Sequence, residues 1–373
     1  MVDSNIHCVI DNGSGFIKAG FSGESAPRFH FPTIVGHTKV EGVYVSDEKK
    51  ESIIGNEAQQ KFGILDINYP IQEGKIVNWD EMTKIWFHTF FSELQIAPEE
   101  YNIFLTESPF NSREDREKIT EIMFETFNCP CMYLSNQSVL SAYSIGKSTG
   151  CVIDCGDGST NFSPIFEGLL CRNGVTHIPI AGKEIFENLF KLLSVNNNIE
   201  SKMQKESLKK VKENLCYISE DYNSEINGNV NESEYELPDK SKIKIGKEKF
   251  QACECLFNPK EFGYNCKSLQ EQFMETIKLS DMDIREFMFA NIIFNGGSTL
   301  FKGFKQRADK EIKEISKDYY QGKKKVHFYP EAKYMSWIGG SILTSLSNFE
   351  NLWITKAEYK EEGKATIVHK KCF

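Results

Sequence analysis

The chain has 373 residues, of which 40% are hydrophobic and 26% are charged, a composition typical of globular proteins with sizeable cores. This length predicts roughly two or three domain-sized units. The net charge of −9 argues against nucleic acid as the principal partner. Lysines gather at residues 202–212 and 302–325, but acidic residues interrupt both runs, which indicates solvated helix faces.

The cysteines and the hydropathy pattern bear on the compartment. Eleven cysteines, no signal-like start and no apolar run near the ~18 residues that span a bilayer indicate a reducing compartment, free thiols and no membrane insertion. The Cys-x-Cys pairs at 129–131 and 253–255 have one intervening residue, where zinc sites typically have about two to four. We therefore expect no structural zinc.

The first strong motif is VIDNGSGFIKAG at residues 9–20, which predicts a strand, a tight turn and a second strand. Its turn residues tolerate positive φ, so several backbone N–H groups can point into one concavity that attracts phosphate oxygens. Asp11 ends the first strand so close to this concavity that a hydrated Mg²⁺ is expected between carboxylate and phosphate. Lys18 adds a positive charge. Taken alone, the motif is first of all a hairpin signal.

Predicted helices and strands follow the polar segment 37–61, which we interpret as a projecting loop or a plain surface loop. Asn78 is expected to cap a helix with one apolar face, and a strand follows at residues 102–106. Asn111 is expected to cap the next helix, with Glu114 at its third position. The apolar positions of the two helices are Met82, Ile85, Trp86, Thr89 and Phe90, then Ile119, Ile122, Met123 and Phe127. A strand at 132–134 and a helix at 136–144 complete this part.

Residues 146–150, GKSTG, match two catalytic patterns without their structural context. A nucleophile elbow follows a strand and opens a helix, but here a predicted helix precedes the motif and a strand follows it. As the tail of a P-loop, the segment has Ser141 where a glycine belongs. We interpret it as a helix end and a loop.

Two further strand-and-turn motifs lie in the second half of the chain. Residues 151–160, CVIDCGDGST, repeat the apolar strand, the aspartate and the small-residue turn of the first motif. Residues 292–300, IIFNGGSTL, lead another apolar strand into a Gly-Gly turn, where backbone can lie close to a flat ligand. Three such motifs are hard to explain by packing alone, and two facing turns could clamp a polyphosphate.

The remaining segments have less specific patterns. A strand and turn at 178–182 lead into a helix at 183–193. Residues 194–240 are poor in apolar side chains and predict a small, mobile, solvent-facing insertion. Residues 336–352 predict a largely apolar helix, which can be a core helix, a docking surface, or both on opposite faces.

These motifs, with others along the whole chain, resemble the actin family. The matching segments are 11–15 DNGSG, 18–21 KAGF, 26–28 APR, 78–80 NWD, 97–100 APEE, 122–128 IMFETFN, 156–158 GDG, 337–342 WIGGSI, 353–356 WITK and 372–373 CF. The resemblance implies an α/β fold of two similar ribonuclease-H-like halves, shared with sugar kinases and heat-shock ATPases, that close on a central nucleotide cleft.

The resemblance also implies four subdomains. Subdomain 1 would comprise residues 1–32, 70–144 and 334–373, and subdomain 2 residues 33–69 with the projecting loop. Subdomain 3 would comprise residues 145–180 and 269–333, and subdomain 4 residues 181–268. Tyr143, Ile338, Ile342, Leu346 and Leu352 would lie near the groove where actin-binding proteins dock.

Site residues carry over position by position. Asp11, Gln137 and Asp154 would hold Mg²⁺, or Ca²⁺ in vitro, through water, and Gln137 would orient the water that attacks ATP. From the sequence alone, a helix-end hydrogen bond is the favoured interpretation of Gln137, and the family resemblance reverses that preference. Residues expected to bind ATP or ADP are Gly13, Ser14, Gly15, Lys18, Gly156, Asp157, Gly158, Ser159, Gly182, Lys209, Lys212, Glu213, Gly296, Gly297, Ser298, Leu300, Phe301 and Lys333.

Some positions depart from the family pattern. Asn161 stands where actins have a histidine that orients or relays the attacking water, and Glu73 replaces another histidine. Lys209 replaces an arginine and loses its planar bidentate geometry. A single acid, Asp3, stands in place of an acidic amino-terminal cluster. The apolar plug at 257–269 is made more polar by two charged residues.

The departures leave three hypotheses. The first is a cytoplasmic, cytoskeletal, filament-forming protein that binds Mg-ATP, self-associates and hydrolyses ATP slowly, because asparagine cannot take up a proton near neutral pH. The second is a non-polymerising actin-related subunit of a larger complex, in the cytoplasm or nucleus, with ATP as a structural ligand. The third and least favoured is a small-molecule kinase of the same fold.

Overall fold

The structure is a computed structural model that describes residues 6–38, 52–197, 202–237 and 240–372. The altered amino-terminal tip and most of the projecting loop predicted at 37–61 lie outside the described residues, as does Phe373. Within those ranges, no helix is both long enough and apolar enough to cross a bilayer.

The elements follow one another in mixed α/β order. The strands are β1 Cys8–Asn12, β2 Phe16–Phe21, β3 Phe29–Pro32, β4 Val35–Thr38, β5 Ile53–Ile54, β6 Leu65–Asn68, β7 Ile71–Gln72, β8 Lys75–Ile76, β9 Ile103–Glu107, β10 Cys131–Asn136, β11 Gly150–Cys155, β12 Thr160–Phe166, β13 Leu169–Leu170, β14 Thr176–Ile178, β15 Ser233–Glu236, β16 Lys242–Ile245, β17 Ile292–Asn295, β18 Val326–His327 and β19 Ile354–Thr355. The α-helices are α1 Gly55–Gln60, α2 Trp79–Phe87, α3 Arg113–Glu121, α4 Gln137–Tyr143, α5 Gly182–Asn196, α6 Lys202–Leu215, α7 Tyr222–Ile226, α8 Glu248–Glu254, α9 Leu269–Leu279, α10 Arg285–Ala290, α11 Phe304–Ile315, α12 Met335–Thr344, α13 Lys356–Glu362 and α14 Lys364–Lys371.

Two mixed sheets form the framework, with strand orders β19-β10-β9-β1-β2-β3 and β13-β12-β11-β17-β18. In the first, β1 pairs antiparallel with β2 and parallel with β9, and in the second β11 pairs antiparallel with β12 and parallel with β17. The correspondence between the two sheets continues outward. On the antiparallel side β3 pairs with β2 and β14 with β12, and on the parallel side β10 pairs with β9 and β18 with β17. The two aspartate-and-glycine motifs therefore occupy equivalent positions in the two sheets.

Helices α4 and α12 join the two sheets. Trp337 on α12 donates its indole N–H to the Val9 carbonyl of the first sheet at 2.9 Å, and Ser138 on α4 donates to Ser163 of the second at 2.9 Å. The helices approach so closely that a side chain on Gly339 would overlap the Leu140 carbonyl. Because both helices contact both sheets, they hold the ends of β1 and β11 in a fixed relation.

The helical predictions are largely confirmed, with one shifted cap. Asn78 caps α2, and the predicted apolar positions of both helices are buried. The next cap is Ser112, whose hydroxyl accepts from the Asp115 N–H at 3.0 Å. The prediction of Asn111 was wrong because its side-chain amide instead donates to Glu107 at 2.9 Å.

Two other segments differ from expectation. The insertion predicted at 194–240 is not simply solvent-facing, because the side chains of Leu208, Val211, Ile218 and Leu237 are buried in the second core. The apolar residues of α6, although spaced among many charged ones, are enough to pack this helix against α5. The helix predicted at 336–352 is interrupted, since α12 ends at Thr344 and a 3-10 helix occupies Ser347–Leu352.

Candidate functional site

The first turn of the site is built on a buried carboxylate. Asp11, 1% exposed, lies at the end of β1, and its Oδ2 accepts from Lys18 Nζ on β2 at 2.6 Å. The β1–β2 register places these two residues directly opposite each other. Burial alone would raise the pKa of Asp11, but Lys18 and the hydrogen bonds from Thr106 and Gln137 hold it below its ordinary value. Asp11 is therefore ionised at neutral pH.

The other carboxylate oxygen of Asp11 connects the site to α4. Oδ1 accepts from Thr106 Oγ1 at 2.6 Å and from Gln137 Nε2 at 2.8 Å. Gln137 is the first residue of α4, after the capping Asn136. The Gln137 amide therefore bonds the site carboxylate rather than its own helix end, which Asn136 caps. Thr106 was not predicted as a site residue, because a threonine in a buried strand is an ordinary β-former.

The second turn lies directly against the first. A Cβ on Gly15 would come within 2.7 Å of the Asp157 Cβ, and one on Gly158 would come within 2.9 Å of the Ser14 hydroxyl. Glycine is needed here because the side chains of Asp157 and Ser14 in the facing turns leave no room for an added Cβ. The Ser14 hydroxyl also accepts from the Gly74 N–H at 3.0 Å, which brings the loop with Glu73 to the same junction. The two predicted turns therefore face each other.

Asp154 lies between two asparagines in the second sheet. It is in register with Asn161 on β12 and with Asn295 on β17. Burial raises the pKa of Asp154 to about 6, the Asp11 carboxylate adds to the rise, and Lys18 opposes it. The Asn161 side chain is buried and accepts from the Ser159 hydroxyl at 3.2 Å.

The third turn closes on the second. Gly296 has φ +92°, and a Cβ there would meet Asp154 Oδ1 at 2.6 Å. The carbonyl of Gly156 accepts from the Ser298 hydroxyl at 2.8 Å and from the Gly182 N–H at 3.1 Å. All three sequence motifs and the start of α5 thus converge.

Charged side chains surround these turns. Lys212 Nζ donates to the Gly182 carbonyl at 3.0 Å and lies 3.9 Å from Asp157 Oδ1. Lys333 Nζ lies 4.9 Å from the Phe16 ring. Burial lowers the pKa of Lys333, the Glu213 carboxylate opposes this, and Lys18 adds to the lowering.

The remaining predicted residues lie toward the rim. Lys209 pairs with Glu206 at 3.0 Å, and its Nζ lies 5.7 to 5.9 Å from the rings of Phe62, Tyr69 and Phe186. Gly297 and Leu300 are exposed. Phe301 packs against the second core instead of standing free at the site.

The donor set suits a phosphate ligand with a hard cation. The Asp11 carboxylate lies close enough to Asp154 to raise the pKa of Asp154, and Lys18 lowers the pKa of both carboxyl groups. A divalent cation with bound waters would offset the excess negative charge, and Mg²⁺ prefers such oxygen ligands. Lys18 and the backbone amides of the glycine turns would face the phosphates. The residues present therefore fit a hydrated metal and a polyphosphate.

Comparison with known families agrees with this geometry. A family model described as Actin matches residues 2–373, essentially the whole chain. The chain belongs to the actin family. This membership supports a nucleotide with a divalent cation as the ligand type and actin-family chains as the partner type.

Two glutamates at the third position of their helices, each accepting from the backbone N–H of the N-cap residue, give a pH-dependent prediction for this actin-family chain. Glu184, beside the site, accepts from the Ala181 N–H at 3.1 Å, and burial raises its pKa to about 7. Burial disfavours the charged form of Glu184 in the folded state. Its contribution to the free energy of unfolding is therefore fully present below the unfolded pKa near 4.5 and is lost as pH rises through about 7. We expect Glu184→Gln to raise the free energy of unfolding above pH 7 by roughly 1–2 kcal/mol, a value reduced for partial solvation, with the gain vanishing toward pH 5.

The matched control is Glu271→Gln, at the same position of the capping box of α9. The hydrogen bond from the Ser268 backbone lowers the pKa of Glu271, so its stabilisation is present above the unfolded pKa and is lost as pH falls. Urea titrations from pH 5 to 8.5 should therefore show opposite trends for the two variants. Parallel trends would contradict the assignment.

Proposed function

We propose that this actin-family protein binds Mg-ATP in a cleft between two similar ribonuclease-H-like halves, hydrolyses it slowly and assembles into filaments. The observation that carries the nucleotide proposal is the contact between the two glycine turns, with Asp11, Lys18 and Asp154 at their bases. The subdomain boundaries inferred from the sequence belong to the same proposal. A cytoskeletal location in the cytoplasm follows from it.

The chain's own residues account for binding. Lys18, the amides near Gly13 and those near Gly158 would contact the phosphates, and Ser14, Gly156 and Ser159 would complete the turns. Gly182, Lys209, Lys212 and Glu213 would border the sugar and base, with Gly296, Ser298 and Lys333 on the opposite side. Mg²⁺, when bound, neutralises triphosphate charge, and Asp11, Asp154 and Gln137 would hold its waters.

Hydrolysis requires positioning more than covalent chemistry. Gln137 would orient the attacking water, because its amide, which donates to Asp11 in the structure, can both accept from a water and donate to another group. Asn161 would assist by hydrogen bonding but has no basic nitrogen, so it cannot accept the water's proton. A slow ATPase is the expected result.

Assembly draws on a different surface. Ile342, Leu346 and Leu352 expose 42%, 53% and 39% of their area. Ile338 is half-buried on α12 with Ile342, and Tyr143 is half-buried on α4, which packs against α12. Such an apolar strip suits an actin-binding protein or another actin-family chain. The second candidate, a non-polymerising subunit with structural ATP, is favoured by Asn161 and by the polar character of Lys260 and Glu261. A small-molecule kinase has no such support.

Calorimetry with Mg-ATP tests the nucleotide site. We expect saturable one-to-one binding, and a Lys18→Met variant should bind roughly tenfold to a hundredfold more weakly because a charge-assisted contact to phosphate is lost. Lys210→Met, which removes an exposed lysine of α6, is the control and should bind normally. Absence of adenine nucleotide binding by the unaltered protein would overturn the proposal, as would unchanged affinity in Lys18→Met.

Single-turnover phosphate release tests the role of position 161. Asn161→His should increase the hydrolysis rate about tenfold or more, since an imidazole can exchange a proton near neutral pH. Asn161→Gln preserves an amide and should stay slow. A histidine variant no faster than the unaltered protein, with normal nucleotide affinity, would mean that position 161 does not limit hydrolysis.

Sedimentation separates the first two candidate functions. With Mg-ATP, the pure protein should pellet above a threshold concentration, and EDTA should abolish the pellet by removing the metal. A conventional actin assayed in parallel provides the reference concentration for assembly. Protein that stays in the supernatant well above the concentration at which that actin assembles would favour the non-polymerising subunit instead.

A further inference from the structure

The hydroxyl of Thr106 lies at the centre of the contacts around Asp11. Thr106 is 1% exposed, near the end of β9. Its Oγ1 donates to Asp11 Oδ1 at 2.6 Å, accepts from the Asn12 backbone N–H at 3.0 Å, and lies 3.3 Å from Gln137 Nε2. A hydroxyl has one hydrogen to donate and two lone pairs to accept with, so these three contacts use its whole capacity.

Thr106 also fixes the direction of the first turn. Its carbonyl accepts from Asn12 Nδ2 at 3.1 Å, and Asn12 Oδ1 in turn accepts from the Trp86 indole N–H at 3.1 Å. The parallel register of β1 and β9 sets the position of Thr106 along its strand, beside Asp11. Thr106 thus joins strand, turn and helix at one point.

The hydrogen bonds of Asp11 show what the loss of the Thr106 hydroxyl would change. Oδ2 is held by Lys18, and Oδ1 is shared between Thr106 and Gln137. Because Asp11 is almost fully buried, solvent water cannot replace a lost donor. Without Thr106, the Gln137 amide would be the remaining side-chain donor to Oδ1 and would be costly to move away.

We propose that Thr106 is a positioning residue for the nucleotide reaction. Its hydroxyl keeps Asp11 Oδ1 hydrogen-bonded, and thereby leaves the Gln137 amide able to turn from Asp11 toward the attacking water. The inference rests on the proposed function. It concerns a residue that acts through Asp11 and Gln137 and does not itself touch the nucleotide.

A double-mutant cycle on nucleotide-free protein tests the shared oxygen without any reaction. Thr106→Val keeps the shape and removes the donor, and Gln137→Met removes the amide. We expect Gln137→Met to lower the unfolding midpoint more in the Thr106→Val background than in the unaltered one, because only the double variant leaves Oδ1 with neither donor. Additive shifts would overturn the proposal.

Single-turnover hydrolysis and calorimetry form the second arm. Thr106→Val should slow hydrolysis about tenfold or more, the usual scale for a lost hydrogen bond to a charged group, while nucleotide affinity changes much less. Thr106→Ser keeps the hydroxyl and should restore the rate. Thr120→Val is the matched control, since Thr120 is equally buried but its hydroxyl donates to the Arg116 carbonyl in α3.

The outcomes separate this proposal from the proposed function. Failure of the unaltered protein to bind Mg-ATP overturns the proposed function and this proposal with it. Normal binding, with Thr106→Val as fast as the unaltered protein or Thr106→Ser as slow as Thr106→Val, overturns the positioning role alone. If Thr106→Val does not fold, Thr106→Cys, a weak donor of similar size, replaces it in both arms.

Discussion

The carboxylate of Asp11 is the constraint on which the site depends. A buried charge is costly unless it is paired and hydrogen-bonded, and here a strand lysine, a threonine and a helix glutamine donate to it from three elements. Meeting that requirement fixes β2, β9 and α4 relative to β1. The same contacts hold Lys18 and Gln137 beside the first glycine turn, which we propose binds phosphate.

The repeated sheet pairing extends this arrangement across the molecule. β11 repeats the neighbours of β1, so Asp154 lies at the end of its strand as Asp11 does. Helices α4 and α12 then set the distance between the two strand ends, and the close approach at Gly339 leaves little freedom there. Two equivalent strand ends held by one helix pair are a simple way to make two glycine turns meet.

The structural features that depend on local sequence patterns were predicted correctly from the motifs. The turns, the strands before them and the apolar faces of α2 and α3 depend on nearby residues, and the structure has them where the sequence indicates. The cap of α3 was misplaced because Asn111 and Ser112 are both good caps, and only the buried Glu107 decides between them. The core under 194–240 was missed because charged residues hide the spacing of Leu208 and Val211.

Thr106 could not be found from the sequence for a different reason. Its importance comes from the parallel register of β1 and β9, which joins residues far apart in the chain. A threonine in a buried strand is ordinary, and nothing in its neighbours indicates three partners. Long-range register, rather than composition, separates a site residue from a structural one here.

The surroundings of Asp154 extend the same reasoning to chemistry. Its in-register neighbours, Asn161 and Asn295, are both amides, and His177 of β14 lies beside Asn161 in the same row. Asn295 Oδ1 is buried and has no hydrogen-bond partner within the described chain, although its Nδ2 donates to Ser336 at 3.3 Å. Neither amide can accept a proton near neutral pH, although each can hydrogen-bond a ligand or a water molecule. These amides are the physical basis of the slow hydrolysis that we propose, because they could hold a nucleotide or a water in place without taking up the proton of that water.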